Sequence, residues 1–404
     1  MFVPTAYGGF YFTLFVVVLF AAAYLAFKSI KLMQFTGVLI APESLLLLMA
    51  LITLSVTITL SLNALFFSPI GLSDIAKPII FMLFFVFGAS SNLNYSMPEI
   101  KKTLVLVSKI IIVGQLVITV DQIFDINAFS VIYDYGKTSS TGEVTSFLRS
   151  TGSLFNPNYY GWILLQSAVI IYLFSNKSSR YFWMLLVLLM ILASGSKSMT
   201  ALYPLALIVG GWLKGDRVIF SRKNLYLLIV IVLLTALVYH LLNEYPHVFP
   251  RLNVLFALLS GEDQSGGGRY RIWEEAYAYF LSKDEGLITW LFGLGPIEEL
   301  KVLDNGYLYT LFRHGIVALI LHVMMILYFI VRLYDFEDRE LGALGIQYVV
   351  IGALSEAQVE GLAAWNYPIH LFLYAGLIFS FEYRRQVVSN RSELNWRDTY
   401  RSSG

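Results

Sequence analysis

The 404-residue chain contains no cysteine, only five histidines, and little charge of either sign. Without a thiol, disulfides, thiol nucleophiles, iron–sulfur ligation and cysteine-based zinc sites are excluded together. The motifs of common soluble chemistry are missing as well: no complete Gly-x-x-x-x-Gly-Lys-Ser/Thr phosphate loop, no His-Glu-x-x-His zinc helix, no Gly-x-Ser-x-Gly nucleophile elbow, and no Asp-x-Asp pair for a nucleotide-sugar metal. A net charge of +1 leaves no dense basic surface for nucleic acid. No internal repeat and no low-complexity linker divides the chain, so one integral domain over residues 1–404 is expected.

What the chain has is hydrocarbon. Apolar residues make up 57% and charged residues 14%, against roughly 45–50% and 25% in soluble domains. The mean hydropathy is +0.69. Crossing a bilayer takes about 20 apolar residues per helix. Candidate spans lie near Tyr7 to Phe27, Leu45 to Phe67, Ile75 to Ala89, Thr103 to Phe124, Pro157 to Phe174 and Tyr181 to Ala193. Others follow near Met199 to Leu213, Leu225 to Leu242, Gly306 to Val331, Leu341 to Ser355 and Asn366 to Phe381. The expected fold is an all-α, polytopic membrane helix bundle of about 11 (10–12) spans. The amino terminus has no basic region or small-residue cleavage pattern, so its apolar run reads as a retained membrane helix.

Basic residues orient the bundle, because Lys and Arg concentrate on cytoplasmic loops. About 17 of the 28 basic residues fall on alternate loops: Lys28 and Lys31, Lys101 and Lys102, Lys177 and Arg180, the Lys214 to Lys223 segment, Arg332 and Arg339, and the tail from Arg384. The amino terminus is then outside and the 384–404 tail cytoplasmic. Leu32 to Ala41 is apolar too, but a full span there would break the alternation, so it reads as an interfacial or partial segment. Two external loops remain, residues 125–156 and 243–305, and long loops in compact domains are often functional. Within the larger one, Ile272, Trp273, Ala276, Tyr277 and Phe280 recur at helical spacing while Arg271, Glu274 and Glu275 face elsewhere. That pattern predicts a helix on the outer membrane surface.

The unusual polar residues all fall on the external side. Asn156 and Pro157 suit an N-cap and a first helical position, so a positive helix end faces outward there, with Arg149 just upstream across Gly152. The plainer reading of the same residues is a helix cap with an arginine reaching the interface. Around Ser196 and Lys197, the flanking apolar runs of about 13 and 15 residues span roughly 20 and 22 Å of a ~30 Å core. That predicts a hairpin recessed below the outer surface, where a lysine needs water or an anion; a lysine snorkelling from a short helix end is the alternative. Next, Gly266-Gly-Gly268-Arg269-Tyr-Arg271 joins backbone freedom to two guanidinium groups. Finally, Asp304-Asn305-Gly-Tyr307 leads into a helix carrying Arg313 and His314, with Asp304 itself a possible N-cap. Five cations beside a membrane suit a lipid-linked phosphate or pyrophosphate.

Arg149-x-x-Gly152-x-x-x-Asn156-Pro157-Asn158 resembles the signature of the O-antigen polymerase (Wzy) and O-antigen ligase superfamily. Ser196-Lys197 resembles its Ser-Arg hairpin, Gly268-Arg269-x-x-x-Trp273 followed by Gly293-x-Gly295 its large external loop, and Asp304-Asn305-Gly-Tyr307 its His-Asn-x-Tyr/Phe element. The resemblance runs from about Arg149 to Gly315. Lys197 stands where arginine is usual, keeping the charge but losing the planar fork. Asp304 stands where histidine is usual, which removes an imidazole acid or base and weighs against a core-lipopolysaccharide ligase.

The resemblance implies a bacterial inner-membrane glycosyltransferase facing the periplasm or exterior. It would move a glycan from an undecaprenyl pyrophosphate-linked donor to the sugar hydroxyl of a lipid-linked repeat unit, with inversion and with no cofactor or metal. Arg149 and Arg269 are expected to clamp the diphosphate, Lys197 to add charge, and Asp304 to orient or deprotonate the acceptor hydroxyl. Gly152, Asn156, Asn158, Tyr159, Gly268, Arg271, Trp273, Asn305, Tyr307, Arg313 and His314 are expected to shape or line the substrate site. Implied partners are the undecaprenyl pyrophosphate-linked glycans, membrane lipid, a chain-length regulator protein and a flippase. An O-antigen ligase or protein O-oligosaccharyltransferase would use the same donor, and a transporter or flippase of an anionic solute is the competing class.

Overall fold

The computed structural model describes residues 27, 43–66, 80–86, 88–89, 96–124, 126, 128–129, 150–153, 157–175, 177–194, 196–214, 265–282, 286–295, 305–336, 338–356, 372 and 375–379. Among the described residues the chain is all-α, with no strand. Its helices are α1 (Glu43–Phe66), α2 (Met97–Ile123), α3 (Pro157–Phe174), α4 (Lys177–Ser194), α5 (Lys197–Lys214), α6 (Ser265–Ser282), α7 (Leu287–Phe292), α8 (Gly306–Tyr334) and α9 (Arg339–Glu356). Shorter helical pieces occupy 80–86 and 375–379. The expected span at Leu225 to Leu242, the segment Leu32 to Ala41 and the tail from Arg384 lie outside the described residues, as does the span from Tyr7 apart from its last residue.

α3 covers the expected span, but other helices begin earlier than their apolar runs. α2 starts at Met97 because the Glu99 carboxylate accepts the Ser96 N–H at 2.7 Å and Pro98 lies in the first turn, where its missing N–H costs nothing. α4 and α5 each run 18 residues, about 27 Å at ~1.5 Å per residue. Their apolar parts, Ser179–Ser194 and Ser198–Leu213, are shorter than a full span; the polar first turns add helical length outside the apolar run.

Among the described residues two helices, Met97–Phe124 and Gly306–Tyr334, are long and apolar enough to cross a membrane. Both leave an apolar stripe uncovered at helical spacing: Leu106, Ile110, Val113 and Val117 on α2, and Ile316, Ile320, Val323, Leu327 and Val331 on α8. In α1 the hydroxyls of Thr53, Thr57, Thr59 and Ser61 each donate to the carbonyl four residues back, so polar side chains in an apolar helix satisfy themselves locally.

The chain packs as two compact units, one of Met1–Leu14, Ser96–Gly268 and Asp338–Gln347, the other of Phe15–Tyr95, Arg269–Glu337 and Tyr348–Gly404. In the first, α3 is the central element, packed against α2, α4 and α5 and buried without interruption from Tyr160 to Ile171. Gly161 permits the close approach of α5, since a Cβ there would stand 2.8 Å from Met199 Cγ. Gly210 leaves room for Gln347, whose amide donates to the Ala206 carbonyl. Lys101 bridges Asp338 and Glu340 at 2.8 Å each.

In the second unit α1 packs along α8. The short helices are joined by aromatic contacts: Phe81 stacks on Phe372 at 5.6 Å, and Phe329 meets Phe372 edge-on at 5.6 Å. At Gly376 the backbones are so close that a Cβ would overlap the Phe85 carbonyl.

Candidate functional site

Within the first unit, the stretch after Arg149 is held inside the bundle by α2. Ser150, Thr151 and Ser153 are buried. Gln122 Oε1 accepts the backbone N–H of Thr151 at 3.0 Å and of Gly152 at 2.9 Å, and the Ser150 hydroxyl at 2.8 Å. Its Nε2 donates to the Gly152 carbonyl at 3.0 Å and to Thr151 Oγ1 at 3.2 Å. Two turns earlier, Gln115 Oε1 accepts the Ser153 N–H at 2.9 Å and its Nε2 donates to Ser153 Oγ at 2.6 Å. Between them Thr119 hydrogen-bonds to the buried Tyr160 hydroxyl. Gly152 has φ +56°, and a Cβ would overlap Gln115 Oε1 and crowd the Tyr160 ring. Only glycine fits that turn.

The same turn meets the α4–α5 hairpin. The Ser150 N–H donates to the Ala193 carbonyl at 3.1 Å. Ser196 precedes α5 and caps it: its carbonyl accepts the Thr200 N–H at 3.0 Å and its hydroxyl the Met199 N–H at 3.4 Å. That hydroxyl also donates to Asn158 Oδ1 at 2.7 Å, in the first turn of α3. The described parts of the first two polar patches, Ser150 to Ser153 with Asn158 and Ser196 at the start of α5, are therefore one place. There the positive ends of α3 and α5 lie side by side, an electrostatic setting that favours an anion. Tyr159 is half-buried in the same turn of α3. Arg149 and Asn156 lie outside the described residues, and of Lys197 only its position as the first residue of α5 is described.

Within the second unit, the Gly293-Leu-Gly295 turn meets the helix that carries Arg313 and His314. Gly293, Gly295 and Gly315 have φ of +72°, +77° and +77°. Gly315 breaks α8, so the carbonyls just before it lose their partners one turn ahead. Two are taken over from outside: Leu294 N–H donates to the Phe312 carbonyl at 2.8 Å and Gly295 N–H to the Arg313 carbonyl at 2.9 Å. The contact is tight in both directions. A Cβ on Gly315 would overlap the Leu291 carbonyl, and one on Gly293 would press on the Arg313 backbone. Beneath it Ala276, Phe280, Leu294, Tyr309 and Phe312 form a buried cluster.

The helix expected over this stretch is α6, with Ala276 and Phe280 buried, Ile272 and Trp273 half-buried, and Arg271, Glu274 and Glu275 exposed. Tyr277 departs from the pattern, being mostly exposed although its ring lies 6.3 Å from that of Phe312. Gly266 to Gly268, read from the sequence as giving backbone freedom within the large loop, form the first turn of α6 together with Arg269. Arg271 pairs with Glu275 at 3.3 Å on the exposed face. The α8 cap is Asn305, whose Oδ1 accepts the N–H groups of Tyr307 and Leu308 at 3.1 Å each; Asp304, the residue expected as cap or base, lies outside the described residues. The Tyr307 hydroxyl donates to the Ala353 carbonyl at 2.7 Å. Arg313 lies over the Tyr309 ring at 4.5 Å, and His314 is edge-on to the same ring at 6.4 Å. Of Gly268 and Arg269 only the helical backbone is described.

No protein-family model matches the chain, and no curated protein matches it. The site therefore rests on its own geometry. Gln115, Thr119 and Gln122 were not anticipated, being absorbed into a generic span. Their spacing of four and then three residues puts them on one face of α2, and a polar face on an otherwise apolar helix was the available signal. Gly315, the break in α8, had no such signal beyond being a glycine.

Proposed function

We propose that the chain is an integral-membrane polysaccharide polymerase, an inverting glycosyltransferase acting on undecaprenyl pyrophosphate-linked repeat units at the outer face of a bacterial inner membrane. It would be a bundle of about 11 spans. The observation that carries the reading is the meeting of Ser150 with Ala193 and of Asn158 with Ser196. Polar motifs some 40 residues apart in the chain, which resemble consecutive motifs of one enzyme superfamily, come together at the positive ends of two helices. The uncovered apolar stripes of α2 and α8 favour hydrocarbon as their surroundings.

The chemistry asks little of the protein beyond charge and alignment. The acceptor hydroxyl oxygen attacks the anomeric carbon from the face opposite the diphosphate. The carbon–oxygen bond to the diphosphate breaks, and the pyrophosphate departs with the bonding pair. Arg149 and Arg269 bind the diphosphate as negative charge builds on it, and Lys197 adds a third positive charge. Asp304 takes the hydroxyl proton or aligns the hydroxyl, which converts a bimolecular encounter into an oriented one.

The test is polymer formation by the purified, reconstituted protein from lipid-linked repeat units, with no ATP and no ion gradient. Growth of polymer supports the reading; release of unit-length glycan onto a different acceptor would move it to a ligase, and transport without bond formation would overturn it.

A further inference from the structure

The buried turn at 150–153 is held by side chains of α2 more than by backbone. Gln122 takes the N–H groups of Thr151 and Gly152, the carbonyl of Gly152 and the hydroxyl of Ser150; Gln115 takes the N–H and hydroxyl of Ser153. Both amides act as donor and acceptor at once, which an apolar or singly functional side chain cannot reproduce. The neighbouring Asp121 carboxylate, acting as acceptor, holds the chain just after α2, taking the Ala128 N–H at 2.8 Å and the Phe129 N–H at 3.3 Å. The last two turns of α2 thus anchor the chain both where it leaves the helix and where it returns. Arg149 is one peptide bond from Ser150, the first residue of the returning anchor.

We infer that Gln122, supported by Gln115, is a positioning residue for Arg149: its amide fixes the turn at Ser150 to Gly152 and so sets where the guanidinium can reach. The inference rests on the reading of Arg149 as a diphosphate ligand. Gln122 acts only through that arginine and touches no substrate. Its loss should spread the arginine over many placements and weaken capture of the diphosphate.

The absence of cysteine makes a direct test possible, because Arg149→Cys creates a unique site for a nitroxide label. With Gln122 in place the label at 149 should give a restricted electron spin resonance spectrum; with Gln122→Met, close in shape but without the amide, a mobile component should appear. A label at Leu189→Cys, exposed on α4, should report the same spectrum in both backgrounds and so confirm that the bundle is intact. Gln122→Glu, which keeps the acceptor and loses the donor, carries the same comparison at smaller amplitude if Gln122→Met does not insert. An unchanged spectrum at 149 in both variants would overturn the inference whatever activity does.

In a second arm, undecaprenyl pyrophosphate binding in nanodiscs should weaken on the order of tenfold in Gln122→Met. The double variant with Arg149→Ala should bind no more weakly than Arg149→Ala alone, since one acts through the other. Additive losses would overturn the inference, because Gln122 would then act independently. If Arg149→Ala binds the lipid like the wild type while the label at 149 is mobilised, the positioning stands and the diphosphate reading fails.

Discussion

The backbone N–H of Ser150 donates to the carbonyl oxygen of Ala193 at 3.1 Å. This bond joins the residue after Arg149 to the hairpin that ends in Lys197, and everything proposed for the first half of the site depends on it. It holds because the turn that presents Ser150 is fixed from the other side by Gln122.

Gly152 should tolerate no side chain. Alanine would add both a left-handed backbone strain and an overlap with Gln115 and Tyr160, together at least ~2 kcal/mol. Gly286 offers the comparison: its φ is +92° and its ψ −151°, also a glycine region, but a Cβ there meets nothing within 4 Å, so Gly286→Ala should cost the backbone strain alone. Thermal unfolding in detergent measures both, and equal losses would contradict the packed turn.

The break in α8 and the Gly293-Leu-Gly295 turn are two sides of one contact. Gly293→Ala and Gly315→Ala should each destabilise the protein by about 1–3 kcal/mol, and the double variant by clearly less than their sum, because the first substitution already opens the contact. Strict additivity in the unfolding free energies would show that the turns are independent.

Ser196→Ala should cost roughly 1–2 kcal/mol, by removing the α5 cap and the bond to Asn158. Asn158→Ala should cost less by itself and little more in the Ser196→Ala background. A double-mutant cycle on unfolding midpoints tests this, and an absent coupling would separate the two motifs.

Much of this was legible in the sequence, for physical reasons that can be named. The start of α3 was readable because proline suits a first helical turn, and α6 because Ala276 and Phe280 fall one turn apart on an apolar face. The early start of α2 was missed because Ser96, Pro98 and Glu99 are polar or non-apolar cap residues that no hydropathy window includes. The α8 break at Gly315 was not readable, since its cause lies in the backbone of Leu291 to Gly295. Gln115 and Gln122 show the same limit: their spacing marks a face, but only the folded turn shows what that face holds.

At Lys197 the charge should matter more than the shape. Lys197→Arg should retain polymer synthesis, whereas Lys197→Met should reduce it by roughly tenfold or more, as expected for losing a cation beside a developing negative charge. Comparable rates for Lys197→Met and the wild type, in matched amounts of inserted protein, would take Lys197 out of the mechanism.

The central claim is that Arg149 and Arg269 bind the diphosphate of the lipid-linked donor. The direct measurement is the length and yield of polymer made from lipid-linked repeat units by reconstituted wild type, Arg149→Ala and Arg269→Ala. Loss of one diphosphate contact should lower the rate in each variant by about 10²-fold or more and shorten the chains; wild-type yields and chain lengths in both would contradict the account.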